Sequence, residues 1–568
     1  MNRSPRGLAV VALAALIAVL TGCTSLPSSG EVNVGLALDD VDLDPDISQI
    51  AARPLEGASP TEIVEGFLDA ALTPDNGWAI AREFLSPEMA ARWRPSAGVV
   101  IDSGAGTRDF STDVEDEDAE SGDVGVQLEL VARVDEDGAY AELPGDDSVL
   151  AFSVERNDEG EWRIAEAADG IVLDADAFAQ VYRRYALQYF DQSWTRLVPD
   201  LRWYPRRQTI ATTLTQSLLG GAPADWLAPA VRSAFPGDVS LASDSVPISP
   251  DKVASVELTA AASTLDDRQV SRMRTQLEAT LRPVGVSEVR LLVNGRDLNA
   301  GVAAVETGRT ESSPVVLTES EFGSFVGEEI TPYDGISDHI VEVASAVESV
   351  DIAADDSRAA MRLDDGWVYT VADDEVNRLD SRAGLIAPSM DPYGYTWSVP
   401  AQAPQELLAW RSDVTSVRVA EAFPGASSIS QLRVASDGVR AAAVITVGGQ
   451  RWIALAAIIR DDAHVPVSLG ETHLVAQLDG TSLGLSWIGD ESLGVLLDDE
   501  ATHSVLTQSV GGPGVSSAAP AGAQALSGGR TEAALRILDD KGVLYAQRGS
   551  TWQMGLSGVL VLGTHAGQ

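Results

Sequence analysis

Hydrophobic positions in residues 61–173 follow first the period of a helix and then the alternation of a strand. Apolar faces at residues 63–72 and 78–85 predict two helices, and Thr61 opens a capping-type stretch before the first. The strand-like runs that follow are residues 124–134, 139–143, 149–155 and 161–164, with turns at Asp137-Gly138 and Glu159-Gly160. Helices followed by an antiparallel sheet predict an α+β domain.

Residues 174–300 carry the pattern of a second α+β unit. A helix predicted through residues 210–219 stops at a Gly-Gly-Ala-Pro stretch, and residues 226–231 predict another short helix. Strand, helix and strand follow at Val253–Leu258, residues 269–281 and Glu288–Val293. In contrast, the first unit, residues 61–173, places two helices before its antiparallel sheet, and this order predicts an NTF2-like domain.

In residues 310–568, short strands alternate with Asp/Gly turns and long helical periods disappear. Similar segments turn at Asp356 and Asp437, which lie 81 positions apart, or two repeats of about 40. Residues 390–397 occupy the place between them, and the spacing of 53 to a third such turn at Asp490 predicts an insertion. This recurrence predicts an all-β propeller rather than the alternative, a pair of β-sandwiches, and leaves the number of blades open.

The N-terminus carries a short apolar run at residues 8–20, preceded by Arg3 and Arg6. Thirteen residues are too few to span a bilayer but suit a secretory signal peptide. The run ends in Leu-Thr-Gly and Cys23, which resembles the lipobox of bacterial lipoproteins. In such proteins the cysteine sulfur receives diacylglycerol, the signal, here residues 1–22, is removed, and the new N-terminus is acylated. Cys23 is therefore the predicted lipidation site, against the alternative of a free thiol in an ordinary signal peptide.

Residues 23–60 show no sustained helical or strand period and contain several aspartates. They predict a flexible tether between the lipid and the first domain. As a random coil such a tether reaches about 35 Å, and fully extended about 120 Å.

The charge balance excludes one class of partner. The chain has 85 acidic and 39 basic residues and a net charge of −46, which opposes binding to nucleic acid phosphates. The same charge disfavours adsorption to anionic lipid, so the acyl chains must hold the protein at the membrane. Lysine occurs only at Lys252 and Lys541, and this arginine bias is typical of GC-rich bacteria. Since Cys23 is the only cysteine, the mature fold has no disulfide.

No residue pattern predicts a catalytic, cofactor-binding or metal site, so the chain is interpreted as a non-enzymatic protein. The five histidines are scattered without close pairing, at His339, His464, His473, His503 and His565. Residues 480–484 match G-x-S-x-G, with Asp490 and His503 following in hydrolase order. A nucleophile elbow needs a helix next, whereas residues 485–497 predict a hairpin, so a propeller strand is the better interpretation.

Two acidic runs imitate calcium loops without completing one. In residues 40–51 the required glycine is Pro45 and the bidentate glutamate is Ala51, and residues 113–120 have Asp118 where glycine is required. Both predict solvated acidic segments, the second a mobile loop. Trp203 is interpreted as part of a half-buried strand, against the alternative of a recognition surface.

Several short segments between the lipobox and residue 300 carry a family signature: Cys23 with residues 27–30 (Pro-Ser-Ser-Gly), 58–60, 63–68, 81–85, 161–164 (Glu-Trp-Arg-Ile), 189–190, 197–205 (Leu-Val-Pro-Asp-Leu-Arg-Trp-Tyr-Pro) and 220–226. In these segments the chain resembles the LpqB lipoproteins of actinobacteria, and residues 205–295 are similar to a GerMN domain. Over the propeller the resemblance is limited to turn patterns.

The resemblance implies an accessory lipoprotein of a two-component system, anchored on the extracytoplasmic face of the cell membrane. Its implied partner is the extracellular part of a sensor histidine kinase of the Mtr type, with effects on cell division and wall homeostasis. One alternative hypothesis is a lipoprotein that binds peptidoglycan or another cell-wall ligand. Another is a propeller enzyme that uses carboxylates at the mouth of its channel.

The predicted anchor is tested by the substitution Cys23→Ser. Because the thiol is the atom that accepts lipid, the variant should be found in the soluble fraction with an unchanged thermal unfolding midpoint. Cell fractionation with detection of bound lipid measures this. Retention of the variant in the membrane fraction would contradict Cys23 as the anchor.

Overall fold

The computed structural model describes residues 51–567 apart from 115, 117, 208, 309–312, 500 and 501. Cys23, the signal peptide, most of the tether and residues 40–50 of the first acidic run lie outside the described residues, as do two positions of the acidic run at residues 113–120. In the described part of the chain, no helix is both long and apolar enough to cross a membrane.

The first domain is a sheet with three helices on one face. Its sheet order is β5-β4-β3-β1-β6, with β2 beside β3, and all pairs are antiparallel except β1 with β6. The elements are α1 Pro60–Ala70, α2 Asp75–Arg82, α3 Pro87–Arg92, β1 Gly98–Asp102, β2 Asp109–Thr112, β3 Ser121–Asp135, β4 Tyr140–Arg156, β5 Trp162–Glu166 and β6 Ile171–Asp174.

Local chemistry explains the start of the first helix and corrects the predicted cap. Ser59, not Thr61, caps α1: its hydroxyl accepts from the backbone of Glu62, whose carboxylate in turn accepts from the backbone of Ser59. Apolar residues of α1, including Phe67, are then buried against the sheet. The predicted strands 139–143 and 149–155 form one strand, β4, which pairs with β3 on both sides of a bulge in β4: Glu142 lies opposite Ala132 and Asp146 lies opposite Leu130.

The second domain places a hairpin and a βαβ crossover around a shared core. Strands β7 and β8 pair antiparallel, while β10 and β11 pair parallel with α6 between them. The prediction of a short helix at residues 226–231 is wrong: the chain forms a single 3₁₀ turn at Ala228–Ala230, followed by strand β9. The elements are α4 Ala175–Val181, β7 Tyr182–Asp191, β8 Leu197–Pro205, α5 Ile210–Gly220, β9 Val231–Arg232, β10 Val253–Leu258, α6 Asp267–Leu281, β11 Glu288–Val293 and β12 Arg296–Asp297.

The strands that follow form six blades of a propeller among the described residues. Blade 6 combines β37 with β13–β15, so that a strand from the far end of the chain closes the ring. The first strands are β13 Val315–Leu317, β14 Phe322–Val326 and β15 Glu329–Thr331, followed by α7 Ser337–Glu342 and, in blade 1, β16 Val347–Ile352, β17 Arg358–Leu363, β18 Val368–Ala372 and β19 Glu375–Asp380. Blades 2 and 3 are β20 Ser389–Met390, β21 Thr396–Ser398, β22 Leu408–Trp410, β23 Ser416–Arg418, then β24 Ser428–Val434, β25 Arg440–Val447, β26 Gln450–Arg460, β27 Pro466–Leu469 and β28 His473–Leu478. Blades 4 to 6 are β29 Thr481–Ile488, β30 Ser492–Asp498, β31 His503–Ser509, β32 Gly514–Ala518, then β33 Ala523–Ser527, β34 Arg536–Asp539, β35 Val543–Arg548, β36 Thr551–Ser557, and finally β37 Val561–His565.

The irregular spacing predicted from the sequence has a structural cause in blade 3. Strand β26 is 11 residues long, and its first half pairs with β28 while its second half pairs with the additional strand β27. The recurring turns also have a cause. Asp391, for example, accepts hydrogen bonds from the backbone of Tyr393 (3.0 Å) and Tyr395 (2.8 Å), which folds the β20–β21 hairpin. The prediction of a propeller with one enlarged blade is confirmed.

A chain of hydrogen bonds between innermost strands joins neighbouring blades. In three blades a buried polar side chain accepts from the backbone of the next blade, and in blade 6 a threonine donates to blade 1. The bonds join Met390 N to Asp351 Oδ2 (2.6 Å), Val434 N to Ser389 Oγ (3.1 Å), Gly528 N to Ser486 Oγ (2.8 Å) and Thr564 Oγ1 to Asp351 Oδ1 (2.8 Å). Asp351 in blade 1 thus accepts hydrogen bonds from both neighbouring blades, from Met390 in blade 2 and from Thr564 in blade 6.

We expect Asp351→Ala to destabilise the propeller by about 2 kcal/mol, because it leaves the buried Met390 N–H without an acceptor and leaves the Thr564 hydroxyl only a contact of 3.5 Å with Val350 O. Urea unfolding followed by circular dichroism measures the change. Asp364→Ala is the matched control, since that aspartate is exposed on the next strand connection. Equal stability of the two variants would show that the bonds between blades contribute little.

Candidate functional site: the junction of the three domains

The junction is organised by a buried ion pair on β8. Arg202 Nη2 lies 2.8 Å from Asp200 Oδ2, and both side chains are about 5% exposed. The same carboxylate oxygen accepts from the backbone of Ala224 at 2.9 Å, so it also fixes the loop after α5. A buried ion pair is favourable only when its remaining donors and acceptors are satisfied, which ties the loop conformation to β8.

The end of β8 also holds the first domain. The backbone N–H of Trp203 donates to Gly138 O at 2.8 Å, and the Tyr204 hydroxyl donates to Asp137 O at 3.1 Å. Burial raises the pKa of Tyr204, so the hydroxyl keeps its proton at physiological pH. Gly138 has φ +82°, and a Cβ there would lie 2.8 Å from Trp203 O. This hairpin turn therefore requires glycine for its conformation and for the close approach of β8.

Trp203 connects the first domain to the propeller. Its ring packs beside Tyr140 in β4 of the first domain with centroids 6.1 Å apart, and its Nε1 donates to Gly511 O in blade 4 at 2.7 Å. A Cβ on Gly512 would lie 2.9 Å from the ring, so the loop between β31 and β32 fits against it closely. Trp203 lies on a strand, as predicted, but most residues of β8 are buried rather than half of them, and the ring of Trp203 contacts both other domains.

The second domain packs against the enlarged blade 3. Trp226, in the loop after α5, stacks on His473 with ring centroids 5.7 Å apart and an interplanar angle of 7°. His473 opens β28, directly after the connection from the additional strand β27. Burial lowers the pKa of the His473 imidazole, with the Glu471 carboxylate acting in the opposite direction. The imidazole is therefore held neutral against the indole.

Polar contacts also join the second domain to the upper face of the propeller, which we define as the end where the first and second strands of each blade are connected. Arg184 Nη2 lies 3.1 Å from Glu491 Oε2, and the same side chain donates to Ser509 Oγ. On the opposite side, the Tyr393 hydroxyl donates to Asp191 Oδ2 at 3.4 Å. The second domain is thus held at two sides of this face.

Asp200, Arg202, Trp226 and His473 line a cavity of about 410 Å³ whose wall is contributed by all three domains. Carboxylates predominate among the charged side chains of the wall, and the Asp200 carboxylate is neutralised by Arg202. The junction therefore consists of structural contacts, including the Asp200–Arg202 ion pair and the Trp226–His473 stack, around a small cavity with an acidic wall.

The structure disperses the hydrolase-like residues. Ser482 lies within β29 opposite Leu497, and β29 continues into a hairpin with β30 rather than into a helix. Asp490 accepts from Ser436 Oγ at 2.6 Å, while His503 begins β31. The interpretation of this motif as a propeller strand is confirmed. Within the described residues, no group of three or more His, Cys, Asp or Glu side chains is arranged to hold a metal ion.

Sequence reasoning missed the roles of Trp226, His473 and Gly511. The spacing of 53 residues between Asp437 and Asp490 indicated that blade 3 is enlarged, and it was the one feature of the sequence that pointed to a contact with another domain there. Gly511 carried no signal, because its partner Trp203 is distant in the sequence.

Family profiles match most of the described chain. The profile of the N-terminal domain of lipoprotein LpqB matches residues 53–179, and that of the LpqB β-propeller domain matches residues 323–559, together more than half of the chain. A profile described as sporulation and spore germination matches residues 185–299. These matches, with the sheets described above, confirm a multidomain protein with a GerMN-like domain and a C-terminal β-propeller.

Curated relatives extend over nearly the whole chain. The LpqB lipoprotein of Streptomyces avermitilis is 27% identical, with 94% of each chain covered. That of Streptomyces coelicolor is also 27% identical, over 84% of each chain. Among solved structures, the tandem GerMN domains of the sporulation protein GerM from Bacillus subtilis match with 16% identity and a TM-score of 0.18, covering 36% of this chain and 63% of that one.

The stacked His473 predicts a pH dependence of the junction. Its pKa in the folded protein is depressed, so its stabilising contribution is present above the ordinary histidine pKa of about 6.5 and is lost as the pH falls. We expect the unfolding midpoint to decrease, and tryptophan fluorescence to change, as the pH is lowered from about 8 to 5. His473→Gln should flatten the fluorescence change and His503→Gln should preserve it. An identical profile for His473→Gln and the unmodified protein would contradict this role.

Proposed function

Since the chain belongs to the LpqB family of lipoproteins, we propose that it is a lipid-anchored accessory protein of the cell envelope that acts by binding rather than by catalysis. It is held at the extracytoplasmic face through lipid on Cys23. Its partner is the extracellular part of a sensor histidine kinase of the Mtr type, whose signalling it modulates, with effects on cell division and wall homeostasis.

The observation that carries this proposal is the junction itself. Contacts through the partly buried Trp203 and Trp226, with the buried Asp200–Arg202 pair, join the three domains within one compact unit. A protein that only occupied space at the membrane would not need its domains fixed against each other. Fixed domains present a composite surface at low entropic cost, which favours recognition of a folded partner.

Anchoring compensates for a weak interface. A flexible tether confines the domains to a layer near the membrane, which raises their effective concentration toward a membrane partner to about the millimolar range. With a net charge of −46, the surface is suited to a partner with basic patches. Such an interface associates quickly and weakens as salt screens the charges.

Binding to cell-wall peptidoglycan is the second candidate function. The observation that favours it is a polar cleft between the second domain and the upper face of the propeller. Clefts of this kind at domain boundaries are common places for small ligands.

The proposed partnership is tested with the soluble protein from residue 24 onward and the immobilised extracellular region of the kinase. We expect saturable binding that weakens at least about tenfold when ionic strength rises from roughly 0.05 to 0.5 M. Trp203→Ala, which releases the first domain from blade 4, should weaken binding further, whereas the exposed Val149→Ala should not. Absence of binding, together with unchanged kinase phosphorylation in cells lacking the protein, would overturn the proposal.

A further inference from the structure

A two-lobed cleft separates the second domain from the upper face of the propeller. Its lobes have volumes of about 610 and 890 Å³. Residues 305–308, which lead from the second domain toward β13, line both lobes and divide the cleft. We refer to residues 305–308 as the strap.

The strap is held by an exposed carboxylate on a buried arginine. The backbone of Glu306 donates to Thr195 O at 2.7 Å, and Glu306 Oε2 lies 2.7 Å from Arg196 Nη2. The Arg196 side chain is only 12% exposed, whereas that of Glu306 is 62% exposed. Because Glu306 is the exposed member of the pair, another carboxylate can replace it on Arg196 without a change in the surrounding fold.

Arg196 retains unused hydrogen-bonding capacity. Its Nε–H has no acceptor among the described residues, and its Nη1 reaches Ser436 O only at 3.5 Å. A guanidinium can bind a carboxylate through two parallel N–H groups, whereas Glu306 of the strap contacts Arg196 through a single oxygen. The site is thus built for a carboxylate but incompletely occupied by Glu306.

Two more arginines face the smaller lobe from opposite walls. Arg282 follows α6 in the second domain and Arg530 lies in the upper loop of blade 5. Both are exposed, and neither forms an ion pair with a carboxylate of the described residues. In a chain with 85 acidic residues, two unpaired guanidinium groups in one cleft favour an anionic ligand.

The acidic groups in the same lobe are mostly engaged. Asp437 pairs with Arg440 at 2.7 Å and Glu491 pairs with Arg184 at 3.1 Å. Asp490, which accepts only from Ser436 among described hydrogen bonds, keeps capacity for a positively charged group. The lobe therefore complements a small molecule with several carboxylates and one amine.

We propose that the smaller lobe binds a carboxylate-rich peptide of peptidoglycan, and that Glu306 is an internal occupant which one ligand carboxylate displaces from Arg196. Stem peptides have this combination of carboxylates with an amine, and a lobe of about 610 Å³ is within the usual size range of small-ligand sites. The inference rests on the proposed extracytoplasmic location but not on the kinase. Loss of kinase binding therefore leaves it standing.

Calorimetric titration of the soluble protein with a synthetic stem tetrapeptide tests the proposal. Arg282→Gln and Arg530→Gln should each weaken binding about tenfold, because each removes a charged contact. Glu306→Gln should strengthen binding several-fold, because it removes the internal competitor. Arg133→Gln, at an exposed position of β3 in the first domain and outside the cleft lining, should have no effect, and the fully amidated peptide should not bind.

The Glu306 variant distinguishes a ligand site from a structural ion pair. If the pair only stabilises the fold, Glu306→Gln lowers the unfolding midpoint and leaves peptide affinity unchanged or weaker, which overturns the proposal. Equal affinities of the unmodified, Arg282→Gln and Arg530→Gln proteins, or no heat of binding in either the unmodified protein or Glu306→Gln, overturn it as well.

Discussion

The Asp200–Arg202 ion pair is the constraint on which the arrangement of the domains depends. Removing two charges from water costs several kcal/mol per ion unless their other hydrogen bonds are made. Here those bonds come from different parts of the chain: Ala224 donates to the carboxylate, and the guanidinium reaches Asp137 O of the first domain at 3.4 Å. The pair is fully satisfied only when β8, the loop after α5 and the first domain are together. This makes docking cooperative.

The propeller uses the same principle around its axis. Each blade alone has an exposed sheet edge and an inner strand with buried polar groups, and the neighbouring blade satisfies the latter. The second domain then covers part of the upper face, because blade 3 is enlarged where Trp226 docks. The space left between them is a cleft rather than a packed interface, and its walls are polar.

Periodicity was sufficient where an element is long or repeated. Val253–Leu258 and Glu288–Val293 have the predicted bounds, and the propeller followed from recurring aspartate turns. The short strands β1, β2 and β6 were missed, because their residues lack a sustained alternation and are stabilised by pairing within the sheet. The cleft could not be predicted at all. Arg196, Arg282 and Arg530 come from separate parts of the chain, and only tertiary structure brings them to one lobe.

Closure of blade 6 has a consequence for how the chain is made. Val315 in β13 pairs with Gly563 in β37, a contact between residues almost 250 positions apart. Contacts of such high sequence separation form late, because closing the long loop between the two strands costs conformational entropy before their pairing stabilises the fold. During synthesis from the N-terminus, β13 must therefore wait with its β37-facing edge unpaired until β37 has emerged. Until then the unfinished propeller exposes a temporary aggregation-prone strand edge.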